Sequence, residues 1–452
     1  MKRIFNNMTQ FSVGLMQKYL PDPFIFAVIL TFIVFTVALF VTGASPLSII
    51  EAWSGGLWSL LSFSMQMALV LVTGTILATA PPFKRMLERI ASIPKNKIQA
   101  IIIVNFISLI ACFINWGFGL VIGAILAKEV VKKVRTVDYP LLIASAYAGF
   151  VVWHAGLSGS IPLKLASGGN LAAQTGGAVV EAIPTNMTIF SPMNMIIFGI
   201  ILCTVPFLLG YMNPSDKNTT LVPAELLREE EGEAEVDIKA MTPAQKLENS
   251  AAINYTLGAM GYAYIISYFV KNGLSLNLNI VNYIFLFTAI ILHGTPINVV
   301  KAVNSAAKST GGIILQFPFY GGIMGIMTFT GPSGVSIAGG ISNLFVNISN
   351  QTTFPVLTFL SAGIVNFFVP SGGGQWAVQA PIMMPASVEL GVSSAKTAMA
   401  IAWGDAWTNM IQPFWALPAL GIAGLGAKDI MGYCLMVLFY TGLVISLGLA
   451  FL

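Results

Sequence analysis

The sequence predicts an all-α polytopic membrane protein made of two inverted repeats, each with a re-entrant hairpin and a broken transmembrane helix. Three observations predict it. The 452 residues are 56% hydrophobic and 9% charged, with net charge +4 and mean hydropathy +0.82. A soluble domain carries roughly 25% charged residues. Two knots of glycine and polar residues interrupt apolar stretches, Asn115-Trp116-Gly117-Phe118-Gly119 and Pro370-Ser371-Gly372-Gly373-Gly374-Gln375. Backbone that cannot stay helical is tolerated at membrane depth only where protein buries it or water reaches it. The knots also recur at one spacing: 255 residues on, Gly117 falls on Gly372, Gly119 on Gly374, Gly149 on Gly404 and His154 on Asn409. Breaks at matching places in two halves mark the midplane site of secondary carriers.

The elements follow in order. The basic start Met1-Lys2-Arg3 precedes a retained first span, Phe24–Val41, rather than a cleaved leader. Leu57–Ala80 is long enough to return. The next loop holds Lys84, Arg85, Arg89, Lys95 and Lys97 against Glu88, which sets it, and hence the N-terminus, on the cytoplasmic side. Ile98–Ala127 is flanked on its far side by Lys128, Lys132, Lys133 and Arg135. Both flanks thus favour the cytoplasm. The knot splits this stretch into arms of about 15 residues, ~22 Å each, short of the ~30 Å hydrocarbon core. A re-entrant hairpin satisfies both facts; two tight full spans are the alternative.

Tyr139–Trp153 leaves the cytoplasm and breaks at Gly156-Leu157-Ser158-Gly159-Ser160, and Met195–Tyr211 returns. Residues 213–249, with the acidic run Glu229 to Glu235, form a cytoplasmic linker between halves at 1–212 and 250–452. In the second half Ile253–Val270, Ile280–Leu292 and Gly311–Thr330 read as spans, and Pro296–Ser309 as an interfacial helix. Thr353–Leu390 is a second hairpin. Its flanks carry almost no positive charge, so it faces the opposite side from the hairpin at 98–127. Ala398–Ile422, broken at Gln412-Pro413, and Ile430–Leu452 complete the half.

Candidate chemistry gathers at the breaks. Helix starts after a break carry partial positive charge and suit a carboxylate. The substrate-binding candidates are Asn115, Gly117, Ser158, Ser371, Gly372, Gly373, Gly374, Gln375 and Asn409. Close helix packing is the structural use of the same glycines. Asp405 lies inside an apolar span, where a carboxylate costs ~2.5–3.5 kcal/mol on insertion scales, so it faces a cavity, a cation or a proton path. His154, one of two histidines, suits proton coupling near neutral pH. A carbonyl-satisfied structural imidazole is its other reading. His293 sits at a span end and reads as interfacial. Trp153, Trp376, Trp403, Trp407 and Met383-Met384 are wall or core residues. Cys112, Cys203 and Cys434 lie in apolar segments and give neither a disulfide framework nor metal spacing. No nucleophile–base pair, metal cluster or cofactor motif marks an enzyme, and no basic stripe outside the loops suits nucleic acid. Few intramembrane cations disfavour multiply charged substrates.

At Tyr19-Leu20-Pro21-Asp22-Pro23-Phe24, Asn115-Trp116-Gly117, Trp153 to Ser160, and above all Phe368 to Trp376, the chain resembles the short-chain fatty acid transporter family of AtoE type over nearly its whole length. The resemblance implies uptake of short monocarboxylates such as butyrate or acetoacetate across a bacterial inner membrane with a coupling cation. It is also similar, distantly, to the ion-transporter superfamily of dicarboxylate and citrate carriers. That implies a homodimer, paired hairpins and an elevator-like movement. The sodium-coupled members carry Ser-Asn-Thr at each tip; this chain has Asn115-Trp116-Gly117 and Pro370-Ser371-Gly372 instead. Proton symport through Asp405 or His154 is the expected coupling. Sodium symport and, in another class, a passive anion channel are the alternatives.

Overall fold

The computed structural model describes residues 2–452 apart from 20, 60, 169–170, 216–217, 224–240, 274–277, 309 and 370–371. Ser371 and the acidic run of the linker therefore lie outside the described residues. The chain opens with α1 (Lys2–Tyr19), α2 (Pro23–Thr42), α3 (Pro46–Leu57), α4 (Leu61–Thr79) and α5 (Pro81–Ala91). The next group is α6 (Lys97–Ile114), α7 (Trp116–Lys133), α8 (Tyr139–Ala148), α9 (Ser160–Ser167), α10 (Leu171–Gln174) and α11 (Pro192–Tyr211). Beyond the linker come α12 (Pro243–Glu248), α13 (Ala251–Asn272), α14 (Leu278–His293), α15 (Pro296–Ala307), α16 (Gly311–Thr328) and α17 (Ile337–Asn347). The chain closes with α18 (Phe354–Phe368), α19 (Gly372–Glu389), α20 (Ser394–Thr408), α21 (Pro413–Ala423) and α22 (Ala427–Phe451). Many starts pair a capping side chain with proline in the first turn, as at Asp22-Pro23, Ser45-Pro46 and Ser191-Pro192.

Five segments among the described residues are long and apolar enough to cross a membrane: Phe24–Thr42, Lys97–Ile114, Tyr139–Ser167, Pro192–Tyr211 and Ala427–Phe451. A sixth is added if α4 and α5, which meet at 80°, count as one broken span. The fold is thus all-α and polytopic. Large apolar side chains such as Phe32 and Phe40 stay exposed on the outer helices, as a lipid-facing surface requires. Asn279–His293 and Ile314–Thr328 are apolar but shorter. The spans expected at Ile280–Leu292 and Gly311–Thr330 are therefore not among the five. The span expected at Ile253–Val270 is not either, because its tyrosines and asparagine dilute the apolar content of α13.

Two further expectations need correcting. The run expected at Leu57–Ala80 is shared between the end of α3 and α4, and the 80° bend into the basic, amphipathic α5 went unread. The arms of the first knot are also longer than expected: α6 and α7 have 18 residues each. Asn96 caps α6 before its first apolar residue, and α7 runs on through the basic cluster to Lys133. At ~27 Å each, their length alone no longer separates a re-entrant hairpin from two spans.

The two arms fold back on each other about the single extended residue Asn115. Gly119 lies opposite Cys112 and Gly123 opposite Ser108, both too close for a Cβ. α18 and α19 pair antiparallel likewise: Gln375 bonds back to Ala362, and Gln379 bonds to Ser361. Displaced by 255 residues, α6, α7 and α9 fall within two residues of the boundaries of α18, α19 and α21, and α8 starts with α20 but passes into its 3-10 turn sooner. The contacts exchange under the same pairing. α4 packs on α14 as α16 packs on α2, and α5 on α7 as α17 on α19.

Candidate functional site

The break in the first half is built by three glycines. α8 passes into a 3-10 turn, Gly149–Ala155, and α9 starts only at Ser160. Gly149 sits against Ser108, Gly156 against the Phe113 carbonyl and Gly159 against the His154 carbonyl, and none of the three could take a side chain without a shift. The break then stitches to the first knot. Leu157 N–H donates to the Phe113 carbonyl at 2.7 Å, and Ser158 Oγ accepts the Trp116 N–H at 3.0 Å. Asn115 Oδ1 accepts the Phe118 N–H at 3.0 Å, so the asparagine serves as the cap of α7. Gly117 lies in the first turn of that helix, buried.

The second break does the same work with side chains. α20 ends in a 3-10 turn, Asn409–Ile411, before Gln412-Pro413 opens α21. Gln412 Nε2 donates to the carbonyls of Asn366 and Phe367 at 3.0 and 3.1 Å. Thr408 Oγ1 donates to the Gly363 carbonyl at 2.9 Å and accepts from Asn366 Nδ2 at 2.9 Å. Each break therefore satisfies the last carbonyls of the arm beside it, which a helix end leaves open.

The two breaks meet in the core. Trp153 Nε1 donates to Asn409 Oδ1 at 2.9 Å, and the Tyr147 hydroxyl to the Asn409 carbonyl at 2.5 Å. His154 Nδ1 lies 2.6 Å from Asp405 Oδ2, with the two side chains 0% and 1% exposed. The other imidazole nitrogen, Nε2, accepts the Ile161 N–H at 3.1 Å and lies 2.9 Å from Ser160 Oγ. A backbone amide can only donate, so Nε2 holds no proton and Nδ1–H donates to the carboxylate. Asp405 Oδ1 has no hydrogen-bond partner among the described residues. The pair then carries one negative charge, or none when a proton sits on Oδ1.

The start of α19 closes over His154. A Cβ on Gly372 would stand 2.6 Å from His154 Cε1 and 3.1 Å from Nε2. Only a bare backbone fits there. Gly373 faces open space. Gly374 lines a cleft of about 480 Å³, which also takes in Gly56, Ser59, Met324, Thr328, Ser336, Gly339 and Ile382. Gln375 turns inward, its Nε2 donating to the Ala362 carbonyl at 2.9 Å and to Gln379 Oε1 at 2.7 Å. Among the described residues neither its Oε1 nor Asn366 Oδ1 finds a donor.

The structure thus gathers His154, Asp405, Asn409, Ser158, Asn115 and the Gly372–Gln375 turn around the two breaks. Other candidates are hydrogen-bonded within the helix packing. Trp403 Nε1 bonds Asn194 Oδ1 at 2.9 Å, Trp376 Nε1 bonds Gln174 Oε1 at 3.1 Å, and Trp407 Nε1 bonds the Leu438 carbonyl at 2.7 Å. His293 Nε2 lies 2.8 Å from the Ile76 carbonyl and ties α14 to α4. The sequence reading missed Asn366, Tyr147 and the cleft residues of α16 and α17. Asn366 is a lone polar residue four positions before the second knot, which was the available signal.

The sequence profile described as "Short chain fatty acid transporter" matches residues 4–452. A Haemophilus influenzae protein provisionally named a short-chain fatty acid transporter is 44% identical over 99% of this chain and 100% of its own. One from Escherichia coli with the same name is 43% identical over 99% of each. Among solved structures, the Alcanivorax borkumensis YdaH transporter shares 14% identity over 95% of this chain and 97% of its own, at a TM-score of 0.44. Neisseria gonorrhoeae MtrF, described among antimetabolite efflux pumps, shares 15% over 97% and 96%, at 0.41.

Proposed function

Because the chain belongs to the short-chain fatty acid transporter family, we propose that it is a secondary active transporter of short-chain monocarboxylates driven by proton symport. The family makes it a small-molecule transporter and not an enzyme; among the described residues no three His, Cys, Asp or Glu side chains group as a metal site. It is a multi-pass inner-membrane protein by its family and its apolar helices.

One observation carries the coupling: the buried His154–Asp405 pair joins the two helix breaks, and no described residue donates to Asp405 Oδ1. A buried negative charge so thinly solvated is costly. A proton on Oδ1 neutralises the pair. Loading substrate and proton together lets both cross as a neutral set. The recurrence of elements at 255 residues supports two inverted repeats with re-entrant hairpins of opposite orientation at 98–127 and 353–390. On that reading, 213–249 links the halves in the cytoplasm, where the N-terminus also lies. α7 packs on α4, whereas a cleft separates α19 from α16. This asymmetry fits a site open on one side at a time, which a passive anion channel does not need. A homodimer remains part of the reading through family resemblance.

Sodium symport is the second reading, and a specific observation favours it. Asp405 Oδ1, Gln375 Oε1 and Asn366 Oδ1 are three buried acceptors without donors among the described residues. The bonds of Gln375 to Ala362 and of Asn366 to Thr408 bring their helices together beside Asp405. Oxygen donors of this kind suit a hard cation.

The test is accumulation of labelled butyrate in proteoliposomes under an imposed pH gradient and, separately, a sodium gradient. Protein-free vesicles correct for acid leak. Accumulation driven by pH supports proton symport. Accumulation driven by sodium alone selects the second reading, and failure under both gradients sinks the substrate assignment.

A further inference from the structure

We propose that the cleft between α3, α16, α17 and α19 is the binding site for the alkyl chain of the carboxylate, and that Gly339 and Ile382 set the chain length accepted. This rests on the carboxylate-transport reading above. The cleft holds about 480 Å³, within the usual range for small-molecule pockets, ~300–1,000 Å³. At ~30 Å³ per water-sized heavy atom, a four-carbon acid needs roughly 180 Å³. Volume alone therefore does not limit the cargo to four carbons, and shape must.

The cleft runs along α19 from its first turn and is lined mainly by apolar groups. Gly374 lies in the first turn of α19, an 18-residue helix, whose partial positive charge favours a carboxylate. Val378, Pro381 and Ile382 follow along the same helix, facing Met324 of α16. At 1.5 Å per residue, Gly374 and Ile382 stand about 12 Å apart. The far end is closed from α17 by Gly339, whose added Cβ would point at Ile382 Cδ1, 3.7 Å away. Its other near neighbour, Ser336 Oγ at 3.0 Å, is a small hydroxyl that caps α17. A methyl there narrows the slot at little cost to packing. The wall opposite α19 is rigid, because Gly56 of α3 and Gly321 and Gly325 of α16 cross too closely for any side chain. The same turn that presents Gly374 to the cleft lays Gly372 on His154. Tail binding and the proton pair thus share one short segment.

The experiment compares gradient-driven uptake of acetate, butyrate and hexanoate by the native protein, Ile382→Ala and Gly339→Ala in proteoliposomes, with thermal unfolding of each to check folding. Ile382→Ala is expected to raise hexanoate uptake relative to butyrate by about tenfold, and Gly339→Ala to shift the ratio towards acetate by a similar factor. If Gly339→Ala does not fold, the Ile382→Ala ratio decides alone. Folded variants that keep the native chain-length profile would overturn the tail site while leaving carboxylate transport standing. Failure of the native protein to accumulate any of the acids would overturn both readings.

Discussion

Asp405 and His154 are the residues on which most rests. Asp405→Asn removes the carboxylate but keeps an acceptor for Nδ1–H. The variant is expected to fold, to lose gradient-driven accumulation, and to retain exchange of substrate across the membrane. Full accumulation by it would exclude Asp405 from coupling. The tip glycines divide by their surroundings. Gly372→Ala drives a methyl into Ser160 and His154 and is expected to cut uptake by about tenfold or more, the scale on which a 1 Å misplacement acts. Gly373→Ala meets nothing and should leave uptake near native; equal losses in the two variants would argue against contact between the tip and His154. Asp405 was legible in sequence because a charge in an apolar run announces itself. Its bond to His154 was not, although both residues stood out singly, since nothing local links positions 251 residues apart. The capping roles of Asn115 and Ser158 were not legible for a related reason: each oxygen accepts a helix-end N–H, and for Ser158 that N–H lies 42 residues away.

Among the elements, the turn between α7 and α8 holds a latch. Asp138 caps α8 at Leu141, accepts the Thr220 N–H of the linker at 2.8 Å and the Tyr433 hydroxyl of α22 at 3.2 Å. Burial pushes its carboxyl above the usual carboxylate range, and these donors hold it back. A carboxyl whose value is raised by folding favours the folded form while protonated. Stability from this group is therefore lost as pH climbs from the ordinary value, ~3.9, through the raised one. Asp138→Asn is expected to remove that slope in thermal unfolding of the detergent-solubilised protein between about pH 4 and pH 7. Asp138→Ala leaves buried donors unpaired, a loss of about 1–3 kcal/mol, and should expose residues 218–222 to protease. Long apolar helices and their proline-led starts were readable from pattern. The 80° bend between α4 and α5 was not, because an amphipathic helix lying along an interface leaves the same mark as a loop rich in lysine and arginine.

At the scale of the whole molecule, the recurrence at 255 residues makes a geometric statement that labelling can check. Lys95 and Gln351 stand just before α6 and α18 and are exposed. Single cysteines at these two places, in a background lacking Cys112, Cys203 and Cys434, should react with an impermeant maleimide from opposite faces of the membrane. Reaction from the same face would mean parallel repeats or none. The pairing of α4 with α14 and of α16 with α2 could not be seen in sequence, because it depends on which apolar faces meet and apolar faces look alike.

The bond between His154 and Asp405 also constrains how the protein is made. Asp405 leaves the ribosome 251 residues after His154, which at ~5–20 residues per second is roughly 13–50 s later. Asn409, the partner of Trp153 and Tyr147, arrives later still. Throughout that interval the newborn first half sits in the bilayer with an imidazole, an indole and a phenol lacking their native partners. The insertion machinery, lipid headgroups or transient water must shield them until α20 emerges. A chain truncated in the linker would never leave that state, and the cell's membrane proteases should clear it.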